Sequence, residues 1–166
     1  MRMHELLKNF KETEKLFDEI DNLAPAGKPS IDDLRATFAG LLVVSLASCY
    51  ESCVKNILID YADQHHDKFS YFVERQFEKI NSKISISDLN SYAKKFDINI
   101  YNKFKRELNK AENRLGNSNI SNKYKQILNW RHAFAHAGEK LTTIEEARTF
   151  HRYGKFVILA FGRAFI

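Results

Sequence analysis

The chain is poor in the residues that punctuate a fold. It has 166 residues but only six glycines and two prolines. Both prolines, Pro25 and Pro29, fall in one short stretch. A β-rich fold needs a turn residue at each reversal, so this scarcity argues for an all-α domain. Cysteine is nearly missing too. Cys49 and Cys53 stand four apart in an apolar stretch and read as two small apolar residues on one helix face. No further Cys or His is near enough in sequence to complete a metal site with them. Two thiols inside a helix give no sign of an oxidising compartment. Long apolar runs are lacking as well. The longest uncharged run, Ala36 to Tyr50, is shorter than the ~17–25 residues that span a bilayer. Residues 1–22 alternate charged and apolar side chains, unlike a secretory signal. The expected location is therefore the cytoplasm, with no membrane partner.

What remains is enough for one core. Apolar residues make up 44% of the chain and aromatics 13%, which suits a folded globule rather than a disordered chain. The length is too short for two comfortable domains, so residues 1–166 are read as a single one. A net charge of +5 favours an anionic partner without identifying it.

Periodicity divides the chain into helices. Leu6, Leu7, Phe10, Phe17 and Ile20 predict a first helix over 3–21. Ala24 to Ser30 is a linker, and Ser30 is positioned to cap a long helix from Ile31 to about Gln64, with Asp32 and Asp33 in its first turn. Phe38 to Tyr50 is apolar on nearly every side, as in a central helix surrounded by others. Glu51 follows directly, either turned outward or buried and paired. His65-His66-Asp67 ends this helix. The adjacent histidines project about 100° apart, so they do not chelate one ion. Residues 68–80 predict a short amphipathic helix, and Ser87 caps another that runs through Phe96.

Over 98–115, Tyr101, Phe104, Leu108, Ala111 and Leu115 form an apolar stripe. Lys103, Arg106, Lys110 and Arg114 form a basic one on the opposite face, with Glu107 and Glu112 as the segment's only acids. Four cations in a row can follow a phosphate backbone, although the pattern also fits an ordinary solvated face. After a polar break, Ser118 or Asn119 caps the next helix. Ile120, Tyr124, Ile127, Leu128, Phe134 and Ala135 gather on one side of it. Lys125, Asn129, His132 and His136 form a polar ridge on another, and Gly138 is a stop. Arg131 projects from the apolar stripe, about 140° from His136. A guanidinium there needs either a pairing acid, for which Glu51 is placed, or a subunit interface at whose edge it reaches a shared site. Thr142-x-x-Glu145 and Thr143-x-x-Glu146 both fit a capping box. Ile144, Ala147, Phe150, Gly154, Val157, Phe161 and Phe165 make the inward stripe of a last helix.

The stretch Trp130 to Gly138 resembles the Arg-x4-6-His signature of the HEPN superfamily, with Arg131, His132 and His136 matching it at the shortest spacing. The helix–linker–long-helix opening and the terminal apolar helix are similar to that superfamily as well. The resemblance implies a helical bundle with a long central helix, a homodimer whose two motif helices meet at the two-fold axis, and metal-independent cleavage of RNA. Arg131 and His136 are then the principal catalytic residues, His132 a partner acid or an orienting group, and Glu51 the acid near the arginine. Lys125 and Asn129 follow from the ridge as RNA contacts. No cofactor or metal is implied. Stand-alone members commonly serve in toxin–antitoxin or anti-phage systems, so an antitoxin protein is a further implied partner. The alternative is a non-catalytic dimerisation or nucleotide-binding module. A metal held by His132 and His136 is a third reading, weakened by the lack of the Glu of a His-Glu-x-x-His hydrolase.

Overall fold

Leu6, Phe10 and Phe17 return to one side of a helix, and all three are buried on α1, Met3–Leu23. The computed structural model describes residues 3–78, 80 and 83–166. It continues with α2 (Asp32–Asp63), α3 (Asp67–Phe77), α4 (Ile86–Phe96), α5 (Ile98–Arg114), α6 (Ile120–Ala137) and α7 (Ile144–Ala164). There is no strand among the described residues, and the all-α expectation holds. The long central helix is α2, which packs against α1, α3, α6 and α7. By length and composition it could also cross a membrane, but half of its most apolar window is buried within the fold, as in a core helix.

Local chemistry moved several boundaries. Ser30 does not cap α2. It lies in a single 3-10 turn, Pro29–Ile31, and α2 begins without a side-chain cap. The N-terminus of α2 is instead held by Arg35, whose guanidinium donates to Asp21 at 2.8 Å, to the Ala24 carbonyl and to Glu145. His66 does not end α2 but caps α3, accepting the Lys68 N–H at 3.1 Å. Ser85, rather than Ser87, caps α4, because only Ser85 has an acid three residues on: Asp88 bonds back to the Ser85 N–H at 3.0 Å. Asn119 rather than Ser118 caps α6, and Thr143 rather than Thr142 closes the box at α7 with Glu146.

A buried polar line crosses the bundle. The His151 imidazole on α7 donates from Nε2 to Glu14 of α1 at 3.1 Å and accepts the Tyr50 hydroxyl of α2 on Nδ1 at 2.8 Å. Lys155 adds a bond to Glu14 at 2.6 Å. The His151 hydrogen bond and the Lys155 charge hold the Glu14 carboxyl down at about 2. Burial pushes His151 below its usual value, which keeps it neutral and suits both of its bonds. Tyr50 in turn stacks on Tyr124 of α6, with ring centroids 5.3 Å apart.

Candidate functional site

Two helices build the site. On α6, Lys125, Asn129, His132 and His136 are all exposed, so the polar ridge stands as expected. Gly138 ends the helix in the left-handed region, φ +66°, and its N–H returns to the Phe134 carbonyl at 2.9 Å. That stop leaves His136 in the last turn of α6. The His132 and His136 rings lie 4.4 Å apart, tilted by 51°.

Arg131 faces the other way. Its Nη2 donates to Oε1 of Glu51 on α2 at 3.2 Å, so the expected pair is present. The two side chains are 21% and 23% exposed, which makes the pair half-buried rather than sealed. Among the described residues, Glu51 makes the one hydrogen bond of the Arg131 side chain. Arg131 and Glu51 line a cavity of about 220 Å³ together with Asn129 and His132. His136 is not part of that lining.

Two features of the site were not readable in the sequence. The first is the wall formed by Ile84 and Ser85 just before α4. It is pinned from beneath by the buried Tyr124 hydroxyl, which donates to the Ile84 carbonyl at 2.6 Å. A tyrosine inside an apolar stripe signals a buried acceptor, but not which one. The second is Gly40 on α2. A Cβ there would overlap the Phe134 ring, so this glycine lets the motif end of α6 nest against α2. Phe134 is consequently half-buried. Ala135, expected on the inward side, is exposed. Leu41 is 50% exposed, so the middle of α2, apolar on nearly every side, is not covered by other helices all round.

The basic stripe sits elsewhere. Arg106, Lys110 and Arg114 are exposed and Lys103 is half-buried. Their helix, α5, packs mainly on α4 and α7, and Lys110 already donates to Glu107 at 2.7 Å. None of the four lines the Arg131 cavity. Among the described residues no three His, Cys, Asp or Glu side chains are grouped to hold a metal ion. Cys49 and Cys53 are free thiols, half-buried and buried.

The assembled groups can hold an anion on a fixed, permanently charged guanidinium and can move protons through exposed imidazoles. An all-helical bundle with a long central helix and this motif at the end of a late helix is a HEPN-type domain. The family model described as RiboL-PSP-HEPN matches residues 4–166, and the chain belongs to that family. No curated protein and no solved structure matches it.

Proposed function

We propose that this chain is a metal-independent endoribonuclease. HEPN membership supports an activity on RNA or nucleotides in general. The observation that carries the finer reading is the half-buried Arg131, oriented by Glu51 at 3.2 Å into a cavity it shares with the exposed His132, with His136 one turn on. In this mechanism a ribose 2′-OH attacks its own 3′-phosphorus. The 2′ proton passes to an imidazole, the P–O5′ bond breaks, and the leaving 5′ oxygen takes a proton from the partner acid. The products are a 2′,3′-cyclic phosphate and a 5′-OH. His136 is the base or acid and His132 its partner. Arg131 stabilises the charge on the phosphorane-like transition state. Glu51 is a positioning residue.

His136 does not line the cavity that holds Arg131, which supports a composite site between two copies of the chain in a homodimer. The family resemblance further supports a place in toxin–antitoxin or anti-phage systems, with an antitoxin as partner.

The test is incubation of the purified protein with RNA in EDTA. Cleavage is expected, with a single 2′-deoxy at the scissile position blocking it. His136→Ala is expected to lose roughly 10²–10⁴-fold. Arg131→Lys keeps the charge but loses the fork, and is expected to be nearly as damaging. Mixing the inactive Arg131→Ala and His136→Ala chains is expected to restore part of the activity through one intact composite site. Activity that vanishes in EDTA and returns with Zn²⁺ or Mg²⁺ identifies metal chemistry instead. A wild type that binds RNA and cleaves none is a non-catalytic module.

A further inference from the structure

Three depressions are neighbours along the face that carries the motif, each sharing lining residues with the next. The cavity at Arg131 and His132 shares Ser85 and Leu128 with a second of about 270 Å³, whose lining adds Lys125. The second shares Ser87 with a third of about 470 Å³, lined by Lys94, Lys95 and Tyr101. The four fixed cations of these linings, Arg131, Lys125, Lys94 and Lys95, face one carboxylate, Glu51, which is already paired. The whole chain carries 26 basic against 21 acidic residues, so this skew belongs to the groove and not to the average surface.

The far end has a structure of its own. Ser87, Asn90, Ser91 and Lys94 recur at helical spacing and present hydrogen-bond donors along one face of α4. The Lys94 ammonium lies 4.5 Å from the Tyr101 ring centroid and that of Lys105 lies 5.2 Å from it. No acid of the described residues forms an ion pair with Lys94, Lys95 or Lys105. The C-terminal dipole of α4 accounts for Lys94 and Lys95. It does not account for Lys105, one turn beyond Tyr101 on α5, brought to the same ring. Two ammonium groups thus meet one aromatic ring, neither of them in an ion pair with an acid of the described residues, and a bound anion can serve both.

We propose that a single RNA strand follows this groove away from Arg131, and that Lys94, Lys95, Lys105 and Tyr101 form a distal phosphate-and-base subsite. The proposal rests on the reading of the chain as an RNA-cleaving enzyme for the nature of the polyanion. Cations that track a backbone beside an aromatic ring, here the half-buried Tyr101, are the means by which proteins hold single strands without reading their sequence. From Ser85 to Lys95 the α4 face extends about 15 Å at 1.5 Å per residue. The subsite therefore acts beyond the nucleotide that is cut.

The test is fluorescence anisotropy of the full-length protein with a non-cleavable 2′-O-methyl oligonucleotide long enough to span the groove. The exposed-lysine variant Lys94→Gln/Lys95→Gln/Lys105→Gln is expected to bind at least tenfold more weakly at low salt. Its plot of log K against log salt should be flatter by about 2, from about 0.7 per phosphate contact. A charge-matched control, Lys11→Gln/Lys15→Gln/Lys28→Gln, removes three exposed lysines outside the groove and is expected to keep wild-type affinity. Tyr101→Ala is expected to lose roughly 5- to 100-fold, with Tyr101→Phe close to wild type. Wild-type affinity and salt slope in the triple variant overturn the subsite, and so does an equal loss in the control. The two readings separate cleanly. Loss of binding in the triple variant with no cleavage by wild type keeps the subsite and removes the nuclease. Cleavage by wild type with unchanged binding in the triple variant does the reverse. Wild type that binds no RNA removes both.

Discussion

Replacing Glu51 tests the site at the point where folding and function oppose each other. The Glu51–Arg131 pair is joined by one contact of 3.2 Å between side chains 21% and 23% exposed. A sealed buried pair that loses one partner costs about 3–5 kcal/mol, whereas an exposed pair is worth about 0–1 kcal/mol. This pair lies between those limits. The cavity beside it lets water reach the orphaned guanidinium, which lowers the cost. Glu51→Ala is therefore expected to lose about 1.5–2.5 kcal/mol. Glu51→Gln keeps an acceptor and is expected to lose about 0.5–1 kcal/mol. Urea unfolding followed by helical circular dichroism measures both, with unchanged m values as the check on two-state behaviour. In the mechanism proposed above, the carboxylate also competes with phosphate for Arg131. Glu51→Gln should therefore bind non-cleavable RNA more tightly than wild type while being less stable. Equal and small stability losses in both variants, with RNA affinity unmoved, would show that Glu51 neither supports nor restrains Arg131.

Three further outcomes are expected. Acid should destabilise the bundle in two stages: the buried, neutral His151 resists protonation as pH falls below about 6.5, and Glu14, held at about 2, loses its contribution as pH falls from about 4.5 toward 2. Allowing for its partial exposure, Glu14 contributes about 2 kcal/mol, so Glu14→Gln should flatten the acid limb of a urea-midpoint profile, and a profile already flat from pH 7 to 3 refutes the linkage. Gly40→Ala should cost about 1–2 kcal/mol, because overlap with Phe134 outweighs the helix propensity gained, and adding Phe134→Ala should cost less than the sum of the two single changes. Neutralising Lys103, Arg106, Lys110 and Arg114 together should flatten the salt dependence of RNA binding by up to about 3, and an unchanged slope makes the stripe an ordinary solvated face.

The sequence shows those parts of the fold that depend on period and on the ends of helices. The stripe of α7, the polar ridge of α6 and the stop at Gly138 are all properties of one helix and its own residues. The caps at Ser30 and Ser87 were misplaced, and those at α6 and α7 were left between two neighbours, because residue type alone does not choose among them. Ser85, Asn119 and Thr143 prevail through backbone geometry and through the residue three positions on. Pairing between helices was readable once, at Glu51 and Arg131, because a charge on an apolar stripe demands a partner and one carboxylate interrupts the central helix. The Ile84–Ser85 wall and the Gly40–Phe134 contact carry no such demand. A backbone carbonyl and a missing Cβ leave no periodic trace, so the cavity's shape could only come from the packed structure.

The direction of Arg131 bears directly on how such a site can work. On a single straight helix, a residue that reaches inward to a neighbouring helix and one that projects from the outer ridge do not converge on a common atom. Here Arg131 turns to Glu51 on α2, while His136 stays exposed in the last turn of α6. His132 belongs to both settings, lining the Arg131 cavity while its ring lies 4.4 Å from that of His136. In the mechanism proposed above, one protomer holds the anion on Arg131 beside His132, and His136, outside that cavity, is the imidazole that a composite site would take from the second copy. The surface around it suits a second copy: Ala135 and Ala137 of α6 are small and exposed, and Leu41 of α2 is a large apolar residue half in solvent. In the homodimer proposed above, a two-fold axis through such a patch would bring the same residues from both chains together. The pairing with Glu51 then has a use before substrate arrives. It holds the fork in a fixed orientation, so that phosphate binding exchanges one anion for another rather than ordering a free side chain.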